Sequence, residues 1–184
     1  NAAFIALLAV LYQDTGSAEL VALGALASFA IPALASPVAG WIGDRFDRRG
    51  VMLVSEILGA AFFLLMAVFP SAPVMLLVLR VAASLVAAPL MSATAAALPG
   101  LVGPGEKLPR ANAKLAVAGI SGGLAGPLIA AVLMLISGPS AVFVFNSVTF
   151  LISAIFLLSI NADFRPARGG GQAGRFAELA AGFR

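Results

Sequence analysis

The chain has 184 residues, 61% of them hydrophobic and only 10% charged, with a formal net charge of +3. A soluble domain carries ~25% charged and ~45–50% apolar residues, so this composition excludes an ordinary water-soluble globule, a disordered chain and a collagen-like one. Cysteine and histidine are both absent, which removes disulfides, thiolate metal sites and imidazole acid–base chemistry; no metal, no cofactor and no nucleic-acid partner is expected.

A helix that crosses a bilayer needs ~20 mostly apolar residues. The first apolar run, Ala2–Tyr12, falls short of that, and the chain opens on Asn1 inside it without a signal-peptide pattern. The expectation is a fragment whose first helix is truncated and whose other end, Gly182–Arg184, is also cut. Five runs are long enough: Leu20–Ile42, Val51–Phe69, Val74–Leu98, Leu115–Ile136 and Ala141–Ile160. Between them lie short polar or Gly/Pro connections at Gln13–Ser17, Pro70–Pro73 and Ser137–Ser140. Three breaks carry charge instead: Gly43–Gly50, Pro99–Lys114 and Asn161–Arg184.

The cations sort the two kinds of break. Arg45, Arg48 and Arg49 lie in the first charged break. Lys107, Arg110 and Lys114 lie in the second, and Arg165, Arg168, Arg175 and Arg184 in the third. The short connections hold none, and the two kinds alternate as a serpentine of spans requires. Cytoplasmic loops are enriched in Lys and Arg, so the charged breaks are expected on the cytoplasmic side, with both ends of the chain there too. Residues 1–161 then form a transmembrane bundle and residues 162–184 a cytoplasmic linker. In that linker Phe176, Leu179 and Phe183 fall on one helical face, as an amphipathic surface helix or the lead-in to a seventh span requires.

The sharpest motif is Gly40-Trp41-Ile42-Gly43-Asp44-Arg45-Phe46-Asp47-Arg48-Arg49-Gly50. Gly40 and Gly43 let a helix end approach a neighbour closely. The carboxylates and guanidiniums that follow can pair or cap helix termini. A positive-inside anchor needs only cations, and leaves this order unexplained. The order resembles the signature loop between helices 2 and 3 of the major facilitator superfamily, Gly-x-Leu-(small)-Asp-Arg-x-Gly-Arg-Arg. Asp47 departs from that pattern, which has Gly there. Arg45-Phe46-Asp47-Arg48-Arg49 is similar to the variant of the macrolide-efflux and enterobactin-exporter branch of the drug:proton antiporters. So are Leu108–Ala113 and Phe145–Ser153.

Further on, Gly119/Gly123 and Gly122/Gly126 form small-xxx-small pairs ahead of Pro127, which removes a backbone donor and bends the helix. Helix packing alone would explain them. Gly122, Gly126 and Pro127 also resemble the antiporter motif Gly-x-x-x-Gly-Pro-x-x-Gly-Gly, with Ala130 and Ala131 in place of its last two glycines. The same stretch fits Gly-x-Ser-x-Gly at Gly119–Gly123, a nucleophile-elbow pattern, yet a serine nucleophile needs a base and this chain has no histidine.

Two ionisable residues fall within spans, and such groups are functional hypotheses by default. Arg80 lies about 9 Å from the outer end of its helix at 1.5 Å per residue. It either snorkels outward or faces a cavity, where it resembles the helix 4 arginine of the superfamily; Ser84 stands where the family has Gly. Glu56 either pairs with a loop arginine such as Arg48 or is a protonatable group. Asn146 either bonds across helices or lines a cavity.

The resemblance implies an all-α membrane protein, the six-helix N-terminal half of a twelve-helix major facilitator fold. It implies secondary active export of hydrophobic or amphipathic small molecules by proton antiport, with alternating access against a missing C-terminal six-helix half. The gate would be Gly40, Gly43, Asp44, Arg45, Arg48 and Arg49. The partners are then the bilayer of the inner (plasma) membrane, a small-molecule substrate and protons, as in multidrug resistance. An importer of the same fold, or a non-transporting scaffold or membrane enzyme, are the alternatives.

Overall fold

A computed structural model describes residues 2–103 and 107–160, with the side chain of Asp44 left out of the description. The expected linker at 162–184, with Phe176, Leu179 and Phe183, lies outside the described residues. The described chain is helical: α1 (Ala2–Thr15), α2 (Ala18–Arg45), α3 (Arg48–Val68), α4 (Pro73–Val102) and α5 (Lys107–Ser159). Four of these are long and apolar enough to cross a membrane, and α1, at 14 residues, is not.

α5 is two helical arms joined at Gly138, whose φ of 75° lies in the left-handed region that glycine tolerates. The expected turn at Ser137–Ser140 is therefore a sharp bend at one residue. The expected break at Pro99–Lys114 is a larger correction. α4 runs to Val102 and α5 begins at Lys107, so most of that stretch is helix. Pro99 sits in the last turn of α4 and still accepts a hydrogen bond at its carbonyl, from the amide of Gly103. Pro109 falls in the first turn of α5, where a missing amide costs nothing.

The short helix α1 sits deepest. Ala6, Leu7 and Leu11 are fully buried, in one cluster with Phe63 and Met66 of α3, Leu76 and Leu79 of α4, and Ala130 and Phe143 of α5. α2 packs mainly on α4, and α3 on both α4 and α5. On the α3–α5 seam, Ser147 donates to the carbonyl of Ala60 at 2.8 Å, and Phe150 stacks on Phe63 with ring centroids 5.4 Å apart. A Cβ built on Gly59 would lie 2.6 Å from the Phe150 ring, so any larger residue there must displace that ring. Outside it the surface is apolar: Leu26, Phe29, Leu34, Leu124 and Leu135 are all exposed. A helical protein whose exterior is this apolar is soluble in hydrocarbon and not in water.

Candidate functional site

The loop between α2 and α3 is two residues long, and the helices on either side hold its charged groups in place. α2 ends at Arg45 and α3 begins at Arg48. Gly43, buried, brings the end of α2 against α4: an added Cβ would meet Ser92 Oγ at 3.1 Å and the Ala93 amide nitrogen at 3.5 Å. The Ser92 hydroxyl lies 3.1 Å from the Ala39 carbonyl of α2, tying the same crossing. Gly40 plays no such part, since a Cβ there meets nothing within 4 Å. Of the two glycines expected to permit close approach, one does.

No ion pair forms within the loop among the described residues; each charge for which a contact is described finds a different partner. Arg45 lies over the Trp41 ring, 5.5 Å from its centroid, and Trp41 meets Phe46 edge-on at 6.1 Å. A cation over an indole face is held by the ring quadrupole. Asp47 is the N-cap of α3, its Oδ2 accepting the Gly50 amide at 2.8 Å. An aspartate in that place satisfies one of the orphan amides of the first turn, worth ~1 kcal/mol over alanine. The departure from the family pattern thus has a structural job. Arg49 reaches across to the last turn of α5, donating to the Leu158 carbonyl at 2.7 Å and the Leu157 carbonyl at 3.4 Å. α5 has no basic residue in its own last turn, so Arg49 supplies the cation that the negative end of a helix favours.

Glu56 is 7% exposed and sits two turns into α3. Its Oε1 accepts from Ser153 Oγ of α5 at 2.5 Å. The alternative pairing with Arg48 is not formed. A charged residue at membrane depth costs ~2.5–3.5 kcal/mol on insertion scales, and a hydroxyl partner can serve both protonation states of the carboxyl group. Arg80 does not snorkel outward. It donates from a terminal nitrogen to Ser84 Oγ at 2.9 Å, one turn deeper into the span, and its buried Nε has no partner among the described residues. Ser84, where the family has Gly, is the residue that turns it inward. Asn146 bonds neither across helices nor to a neighbour: its Nδ2 donates to the Val142 carbonyl of its own helix at 3.2 Å.

The first arm of α5 is set apart from the rest. Residues 112–122 are all exposed, and a Cβ on Gly119 or Gly122 would meet nothing within 4 Å. Gly119 and Gly122, the first members of the two small-residue pairs, do not pack against this bundle. Gly126 and Pro127 are half-buried below them, where the arm rejoins the core at Ala130.

The loop, the span charges and the uncovered arm lie on separate parts of the bundle. Sequence reasoning allowed helix capping by this loop but assigned none of three supports. The Asp47 cap had a signal, an aspartate directly before a helix. The Arg49 contact with α5 and the Ser153 contact with Glu56 had none, because both join residues about a hundred positions apart.

Compared with known proteins, the chain matches no curated protein and no solved structure. Residues 1–182 match the family model described as Major Facilitator Superfamily. A match over nearly the whole length, on a helical chain with an apolar exterior, shows that the chain belongs to the major facilitator superfamily of membrane transporters.

Proposed function

We propose that the chain is the N-terminal six-helix half of a twelve-helix exporter. In this reading it moves hydrophobic or amphipathic molecules out of the cell in exchange for protons. The observation that carries this is the uncovered first arm of α5. Gly119 and Gly122 offer backbone to a partner that this bundle does not contain, which supports a second half seated there. Residues 1–161 are the bundle, and 162–184 lead to that second half.

Roles follow from placement. Asp44, with Gly43, Arg45, Arg48 and Arg49, latches the cytoplasmic side against the second half when the cavity opens outward. Gly122, Gly126 and Pro127 let the first arm of α5 bend and seal at the interface. Arg80, turned inward by Ser84, sets a positive field near the cavity, and Asn146 lies on the flank of the second arm of α5. The mode of action is alternating access, in which the two halves rock about a central site. An importer would share the gate, because such a loop reports the fold more than the direction.

The deciding experiment uses inside-out vesicles holding the full-length protein. An imposed proton gradient, acid inside, should drive accumulation of a lipophilic dye. Collapse of the gradient should release it. Accumulation indifferent to the gradient would overturn antiport, and none at all would overturn export.

Orientation has its own test. With Lys107 cytoplasmic and Ser71 outside, Lys107→Cys should stay unlabelled and Ser71→Cys should label with an impermeant maleimide on intact cells. Both positions are exposed and the chain has no other cysteine. The reverse pattern would invert the topology.

A further inference from the structure

Among the described residues, Glu56 is the one acidic residue in the interior of a membrane-crossing helix. Asp14 and Glu19 are exposed at helix ends, and Asp44 and Asp47 lie at the α2–α3 loop. Glu56 stands about 12 Å along α3 from Arg48, at 1.5 Å per residue.

Its described partner is a neutral hydroxyl, Ser153 Oγ, and it forms no ion pair among the described residues. The ionisable groups around it are placed elsewhere. α5, α4 and α2 pack on α3. The second arm of α5 has no ionisable side chain, and Lys107, Arg110 and Lys114 are exposed in the opening turns of the first. α4 has Arg80 alone, which donates to Ser84. α2 has Glu19 in its first turn, and Asp44 and Arg45 in its last, with Arg45 over Trp41. On α3 itself Arg48 and Arg49 open the helix, and Arg49 donates to the Leu157 and Leu158 carbonyls.

The polar contacts of the α3–α5 seam follow one line. Arg49 meets Leu157 and Leu158, Glu56 meets Ser153, and the Ala60 carbonyl meets Ser147. Spacings of seven and four residues put all three on one face of α3.

We propose that Glu56 is the residue through which this half takes up and releases a proton, with Ser153 as the residue that positions its carboxyl group. On uptake an O–H bond forms at a carboxylate oxygen, with the proton drawn from water. On release that bond breaks and the proton returns to water on the cytoplasmic side. The serine hydroxyl can donate to the carboxylate and accept from the carboxylic acid, so both states keep a hydrogen bond without a shift of either helix. A guanidinium in its place has no acceptor and would serve the ionised state alone. Arg49 fastens the same face of α3 to the same arm of α5, so a change at Glu56 reaches the loop through one stretch of helix. The proposal rests on the proton-exchange reading and deepens it by naming the carrier.

The test is infrared difference spectroscopy, acid minus alkaline, on the full-length protein in lipid nanodiscs. The wild-type spectrum less that of Glu56→Gln should hold one carboxylic-acid carbonyl band with a matching loss of carboxylate stretch. Ser153→Ala should keep that band and move its frequency, because the hydrogen bond to the group is gone. Ser153→Thr, which keeps the hydroxyl, should restore it. In inside-out vesicles Glu56→Gln should lose gradient-driven accumulation of the dye, while dye still exchanges for dye without a gradient.

A spectrum with no band that Glu56→Gln removes would overturn the assignment and leave Glu56 as a packing residue of fixed charge. If Glu56→Gln does not fold, wild type minus Ser153→Ala decides: a displaced carboxyl band supports Glu56, and no difference overturns it. A Glu56-dependent band in a protein that accumulates no dye would sink antiport and leave the proton site standing. Gradient-driven accumulation unchanged in Glu56→Gln would give the proton to another group and leave antiport standing.

Discussion

Asp44→Asn is expected to abolish most transport by the full-length protein while leaving its insertion and abundance unchanged. Asp44 follows Gly43, and Gly43 is pressed against Ser92 and Ala93 of α4. The backbone that carries the carboxylate is therefore held by the helix crossing and not by a loose loop. In the proposed architecture, a carboxylate at this end of α2 can meet the N-terminus of a helix in the second half, where negative charge is favoured. The amide keeps the shape and loses about half the strength of a charge-assisted contact. The two access states of a transporter are near balance, and about 1.4 kcal/mol removed from one of them shifts their ratio about tenfold. A solvated surface charge would behave differently, because its loss costs ~0–1 kcal/mol. The measurement is substrate accumulation at matched protein levels. Wild-type transport by the variant would remove the latch and leave the loop as a topological anchor.

Gly59→Leu is expected to destabilise the α3–α5 seam by about 1–2 kcal/mol. Two effects oppose each other. Replacing a mid-helix glycine gains ~0.8–1.0 kcal/mol of helix propensity. Against that, the new Cβ would lie 2.6 Å from Phe150 Cε1 and 2.8 Å from Cδ1. The Phe150 ring has no easy retreat, since it is stacked on Phe63 and flanked on its own helix by the Ser147 and Ser153 bridges to α3. Overpacking of this kind costs ~1–3 kcal/mol. For Gly59→Ala the two effects come close to cancelling. For leucine, whose branch adds to the same clash, overpacking wins by about 1–2 kcal/mol. Thermal unfolding in detergent should show Gly59→Ala near the wild type and Gly59→Leu well below it. Phe150→Ala should rescue the leucine variant, because the two side chains share one space and their effects do not add. A Gly59→Leu protein as stable as the wild type would mean that the seam is looser than described.

Neither effect could have been foreseen from the chain alone to the same degree. Apolar run length is a local property. It located α2, α3, α4 and the second arm of α5 to within a few residues, and began the first arm eight residues late, because a span must satisfy its own backbone hydrogen bonds whatever surrounds it. Alternation of cations is local too, and so is the order Gly43-Asp44-Arg45, which pointed to the family that the comparison then established. The charge-rich break at Pro99–Lys114 is mostly helix, and Pro99 and Pro109 do not interrupt it, since a proline's effect depends on its position within a helix turn. That position is settled only when the helix ends are known.

Tertiary structure decided the partners. Glu56 meets Ser153 instead of Arg48, Arg49 reaches the carbonyl end of α5, and Arg80 turns inward to Ser84. Asn146 stays within its own helix. Among the glycines, Gly43 and Gly59 are crossing points, while Gly40, Gly119 and Gly122 touch nothing. A glycine in a membrane span reads the same in sequence whether it faces a helix, lipid or an absent partner. Only the packing of α2 against α4 and of α3 against α5 tells these cases apart, because close approach is a property of two backbones and the sequence around a glycine describes one.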